Sequence, residues 1–146
     1  MAAPSGSAEK ALRRARKAIL GTIGPEGRPN LVPIVFVVLA DGRLVSAVDQ
    51  KPKRTRRLQR LENIRADPRV TLLVDHYADD WSELWWVRVD ATAEVHDSAP
   101  PDALRLLADK YVQYVEDPPS GPWIVMESVG FRSWSADPGG LQRTWL

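Results

Sequence analysis

The chain runs to 146 residues, enough for one compact domain with a core of its own. It contains no cysteine, which excludes disulfides, thiolate metal sites and thiol catalysis. Twenty lysines and arginines against nineteen aspartates and glutamates leave a net charge of +1, so any anion-binding device is local rather than the global basic field of a nucleic-acid binder.

Residues 1–6 are small and polar and are expected to form a flexible tail. Ser7 can cap a helix running to about Lys17, with Ala8, Leu12, Ala15 and Ile19 on one side. GTIGPEGRPN reads as a short strand entering a Gly/Pro turn. LVPIVFVVLADGRLVSAV reads as two apolar β-rich runs joined by Asp41-Gly42, a strong hairpin signal. Pro33 cannot donate to a ladder, so it marks an edge, a bulge or a ligand-facing gap.

From about Arg54 to Ala66 the spacing predicts a helix with Leu58, Leu61 and Ile64 inward and arginines outward. Pro68 disfavours helical geometry at Asp67 and ends it. VTLLVDHY is a strand, and an acidic loop, ADDWSEL, leads into WWVRVDATAEV. Alternation there sets Trp86, Arg88 and Asp90 on one face against Trp85, Val87 and Val89 on the other. SAPPDA starts a helix with Leu104, Leu107, Ala108, Tyr111 and Val115 at helical spacing, and EDPPSGP breaks it. WIVMESVGFRSWSA reads as a last strand or pair of strands, followed by a tail at about 137–146. Short β-runs at hairpin spacing with peripheral helices predict a mainly β fold, a small antiparallel barrel with helices at its rims. No Gly-rich fingerprint follows a strand, which argues against a Rossmann or P-loop fold.

The longest apolar run, Leu31 to Ala40, is too short to cross a bilayer and contains Pro33. No signal-peptide core follows the charged N-terminus, so a cytoplasmic protein without a membrane partner is expected. His76 and His96 lack a metal-pair spacing, and Asp79, Asp80 and Glu83 read as a solvated loop, so no metal site is expected. No serine sits in a Gly-x-Ser-x-Gly elbow, and no acid–base pair stands out. With no catalytic residue on offer, the hard chemistry falls to a cofactor. Six of the ten residues from Lys51 to Arg60 are cationic. They are either the solvated face of an amphipathic helix or a phosphate cradle, in which Lys51 and Lys53 flank a helix N-terminus.

The ordered set GRPNLVPIVFV, DGRLVSAVD, KPKRTRRLQRLENIRADPRVTLLVD and DHYADDWSELWWVRVDATAEV resembles the pyridoxamine 5′-phosphate oxidase-like split β-barrel family. The resemblance runs from about Ala8 to Trp134 and is closest to the branch that uses the deazaflavin coenzyme F420. It implies a single split-barrel domain over residues 1–146, homodimeric, with cofactor sites at the interface. By position it implies that Lys51, Lys53, Arg54 and Arg57 grip the cofactor phosphate. Asn30, Val32, Pro33, Ile34, Ser46, Ala47 and Val48 would lie against the ring system. Trp86 and Arg88 would come from the opposing subunit, and the last strand, around Arg132 and Trp134, would approach the same cleft.

The implied activity is hydride transfer between reduced F420 and an unsaturated or quinone-like small molecule, without nucleic acid as a partner. FMN is the alternative cofactor, in an FMN-binding oxidoreductase. A protein that binds the cofactor without turnover is the other alternative. The cations exceed what one terminal phosphate needs, which favours F420, with its phosphodiester and oligoglutamate tail, over FMN. No C-terminal extension of the kind with which pyridoxamine phosphate oxidases bind pyridoxal phosphate follows Leu146, so that activity is not expected.

Overall fold

The computed structural model describes residues 6–48 and 58–137. The element order is α1 (Gly6–Arg14), β1 (Ala18–Ile23), β2 (Pro29–Ile34), β3 (Val37–Val38), β4 (Leu44–Ala47), α2 (Gln59–Ala66) and β5 (Arg69–His76). Then come β6 (Trp85–His96), α3 (Ala103–Lys110), α4 (Gln113–Glu116) and β7 (Trp123–Ser135). All seven strands form one sheet in the order β2-β1-β5-β6-β7-β4-β3, with every pairing antiparallel. The mainly β architecture read from the sequence is the one observed.

The topology forces curvature. β2 and β3 sit at opposite edges of the sheet, yet only Val35 and Phe36 separate them in the chain. So short a link reaches only roughly 10 Å, so the sheet must curl until its edges meet. The result is a barrel whose seam is the Val35–Phe36 link.

Alternation then sorts the side chains. Leu20, Leu72, Val74, Val87, Val89, Ile124 and Met126 point into the curl and are fully buried. Each such aliphatic contributes roughly 1.5–3 kcal/mol by leaving water. α1 inserts Ala8, Ala11 and Leu12 into this inner cluster, and α2 adds Leu61 and Ile64. A second cluster forms outside the sheet, where Leu107, Tyr111 and Tyr114 cover Val37, Val45, Ala47, Trp123 and Val125. Elsewhere the outer face carries no helix, and Leu31 and Pro33 stand exposed on it. Among the described residues no helix is long and apolar enough to cross a membrane.

Several boundaries differ from the pattern-based expectation. α1 stops at Arg14, and Ile19 belongs to β1, because residues 18–23 find ladder partners in both β2 and β5. LVPIVFVV is two strands, broken where the barrel closes. Pro33 lies in an edge strand, where its missing N–H costs nothing. The helix expected through Val115 breaks at Tyr111, which is extended (φ −122°, ψ 113°), and Leu104 and Val115 remain exposed. The last segment is one long strand with a bulge, in which Ala91 faces Ser128, Asp90 faces Gly130, and Val129 is the extra residue. α2 ends at Ala66, as Pro68 requires, and the part of that helix expected from Arg54 to Arg57 lies outside the described residues.

Candidate functional site

The sequence-predicted residues fall into three groups. The first gathers at the seam. Asn30, Val32 and Ile34 face the inside of the curl from edge strand β2, while Pro33 faces out. β3 pairs only with Leu44 and Val45, so past Val45 the same side of β4 has no strand partner. The buried Ser46 donates its hydroxyl to the Val35 carbonyl at 2.8 Å, holding β4 against the end of β2. Val48 packs in the inner cluster and Ala47 in the outer one, so β4 offers a ligand backbone rather than side chains. A flat ring system needs such a surface of small groups and free strand edge, and β4 runs directly into the next group in the chain.

That second group, Lys51, Lys53, Arg54 and Arg57, lies outside the described residues. The third is remote from the seam. Trp86 pairs across the ladder with Trp134, and Arg88 with Arg132, all on the bare outer face. The Arg88 guanidinium lies 5.9 Å from the Trp86 ring centre, with its Nε 3.9 Å from Asp90 Oδ1, and Thr71 donates to the same oxygen at 3.0 Å. Ser46 pairs with Ile124 and Trp86 with Trp134, so the two groups stand at opposite ends of the 13-residue β7. That separation is roughly 30 Å of strand at about 3.3 Å per residue. One chain cannot bring them to one small molecule.

Three side chains that the sequence reading did not single out as site residues also converge on the seam. The buried Tyr111 hydroxyl lies 3.1 Å from both the amide nitrogen and the carbonyl oxygen of Phe36, and 3.0 Å from the Arg16 carbonyl. Lys110 Nζ donates to the Phe36 carbonyl at 2.9 Å and sits 4.2 Å above the Phe36 ring centre. Burial, aided by the Arg16 guanidinium, holds the Lys110 ammonium down at about 8. Burial also raises the Tyr111 phenol above its ordinary value. The available signal was Lys110 at three residues from Leu107, a cation on the apolar stripe of its helix.

The remaining candidates are dispersed. His76 stacks on Trp85 with ring centres 6.1 Å apart, and His96 pairs with Glu94 at 2.9 Å near the other end of β6. Asp80 is bound to Ser82, capping the turn at Trp81–Glu83. Among the described residues no three His, Asp or Glu side chains gather to hold a metal ion. An open groove of about 470 Å³ lies between α2 and β6, lined by Ile64, Arg65, Pro68 and residues 93–96, and none of the expected site residues reaches it.

Known structures share this architecture. A conserved hypothetical protein from Mycobacterium tuberculosis is 23% identical, with a TM-score of 0.67 over 93% of this chain and 87% of its own. An F420 reductase is 25% identical, with a TM-score of 0.64 over 89% of this chain and 98% of its own. The heme storage protein HutZ of Vibrio cholerae shares the fold at 12% identity, with a TM-score of 0.66 over 90% of this chain and 93% of its own. Among curated proteins no sequence matches closely enough to carry an argument. The sequence profile described as pyridoxamine 5′-phosphate oxidase matches residues 6–134. With the single curled sheet and its seam already established, that match means the chain belongs to the pyridoxamine 5′-phosphate oxidase family of split β-barrels, which includes oxidoreductases with flavin-type cofactors.

Proposed function

We propose that this chain is an F420-dependent reductase, working as a cytoplasmic homodimer on an unsaturated or quinone-like small molecule. The observation that carries the reading is the similarity to the F420 reductase, a quarter identical over nearly its whole length. The chemistry of the residues supports it. The seam offers free strand edge and backbone for a ring, and residues 51–60 offer six cations for a phosphodiester and a carboxylate-bearing tail. The bound reduced coenzyme would supply the hydride, so the chain needs no nucleophile of its own. Its residues bind and orient: Lys51, Lys53, Arg54 and Arg57 hold the anionic arm, while Asn30, Val32, Pro33, Ile34, Ser46, Ala47 and Val48 form the ring bed.

Trp86, Arg88 and Trp134 reach such a site only from a second copy, because in their own chain they stand at the far end of β7. That distance is what supports the dimer with interfacial sites. Replacing Arg54 and Arg57 together by Gln tests the cofactor assignment. The double variant should lose affinity for F420 more than for FMN, and the difference should shrink with salt, because charge pairs are screened over about 8–10 Å at moderate ionic strength. Equal losses for both would assign these arginines to a shared phosphate and move FMN ahead.

A further inference from the structure

Lys110 and Arg16 are an uncompensated pair of cations at the barrel seam. Both lean on the same ring: Arg16 Cζ is 5.0 Å and Lys110 Nζ 5.4 Å from the Tyr111 centroid. The nearby carboxylates are engaged elsewhere. On α1, Glu9 pairs with Arg13, whose guanidinium also donates to the Val38 carbonyl. On α3, Asp109 and the flanking Asp102 both pair with Arg105. Among the described residues neither Arg16 nor Lys110 has an acidic partner, and Arg16 makes no side-chain hydrogen bond. Lys110 commits one of its three N–H groups, to the Phe36 carbonyl, from a half-buried position. A half-buried cation beside a second cation is costly unless something anionic relieves it.

We propose that Arg16 and Lys110 bind a tetrahedral oxyanion, a phosphate or sulfate group carried by a small molecule, at the barrel seam. The fork of Arg16 and the two remaining ammonium protons would supply charge-assisted hydrogen bonds to its oxygens. The anion would tie α1's end to α3 across the Phe36 link. Neither residue belongs to the cationic stretch assigned above to the coenzyme, so the inference stands independently of that assignment.

The test is titration of the isotope-labelled full chain with sodium sulfate, followed by amide NMR, with ionic strength held constant by sodium chloride. Sulfate keeps its charge across the pH range used. Saturable shifts at Arg16, Phe36, Lys110 and Tyr111 are expected near neutral pH, and inorganic phosphate should compete for the same site. Arg16→Gln, an exposed substitution, should weaken binding by about tenfold or more without altering the fold. Affinity should fall as the pH passes about 8, where Lys110 loses its proton. Lys110→Arg should keep binding and lose that pH dependence. Shifts that never saturate, equal shifts with chloride alone, or unweakened binding in Arg16→Gln would leave an adventitious ion only and overturn the proposal.

Discussion

Phe36 lies between two strands, and side chains from the end of α3 satisfy its backbone. Tyr111 sits against the Phe36 amide and carbonyl, and Lys110 donates to the same carbonyl. Tyr111→Phe leaves the buried Phe36 amide without its acceptor, so a loss of about 1–3 kcal/mol is expected in urea unfolding. An unchanged midpoint would mean that the seam is held by packing alone. Lys110 gives a signed pH effect. Its folded value lies near 8 against an ordinary 10.5, so above pH 8 the unfolded chain binds more protons than the folded one. Stability should therefore gain a rising component between about pH 8 and 10, and Lys110→Met should remove it. A wild-type curve that coincides with the variant's across that window contradicts the assignment. This residue-scale arrangement was the least legible in the sequence. Tyr111 could be read as an apolar helix position, but its hydroxyl meets a residue 75 positions away, and no periodicity encodes that.

Elements were more legible, because period and punctuation are local. Alternation in WWVRVDATAEV gave the faces of β6 correctly, and Pro68 marked the end of α2. The errors fell where distant pairing overrode local preference. Residues 18–23 look helical next to α1 until β2 and β5 bracket them as a strand. Asn63, on a helix with arginines expected outside, is buried and donates to Thr22 Oγ1 at 2.9 Å, a contact 41 residues away. The entry to β7 supplies a prediction at this scale. Gly121 adopts φ +96°, and a Cβ there would stand 2.6 Å from Trp123 Nε1, whose ring is buried. Gly121→Ala combines backbone strain with a clash, so a loss of roughly 1–3 kcal/mol is expected by chemical denaturation. A variant as stable as the parent would show that the Trp123 ring can move aside freely.

For the whole molecule, the bare outer face decides how many chains make one site. Leu31 is 69% exposed and Trp134 46%, on the same side of the sheet as Pro33, Trp86 and Arg88. A patch of this kind is an association surface. Trp134→Glu should convert a dimer to monomers in light scattering at micromolar concentration while leaving the circular dichroism spectrum unchanged. A wild-type chain that is already monomeric would remove Trp86, Arg88 and Trp134 from the cofactor site. The fold class was readable from spacing because hairpins and faces are local, whereas the joining of β2's end to β4 at the seam emerges only when the sheet closes. The most direct measurement is equilibrium titration of the purified chain with F420 and with FMN, followed by absorbance and fluorescence. The account predicts saturable F420 binding, tighter than that of FMN and weakened in the Arg54→Gln, Arg57→Gln double variant. Tight FMN binding with no detectable F420 binding would contradict it.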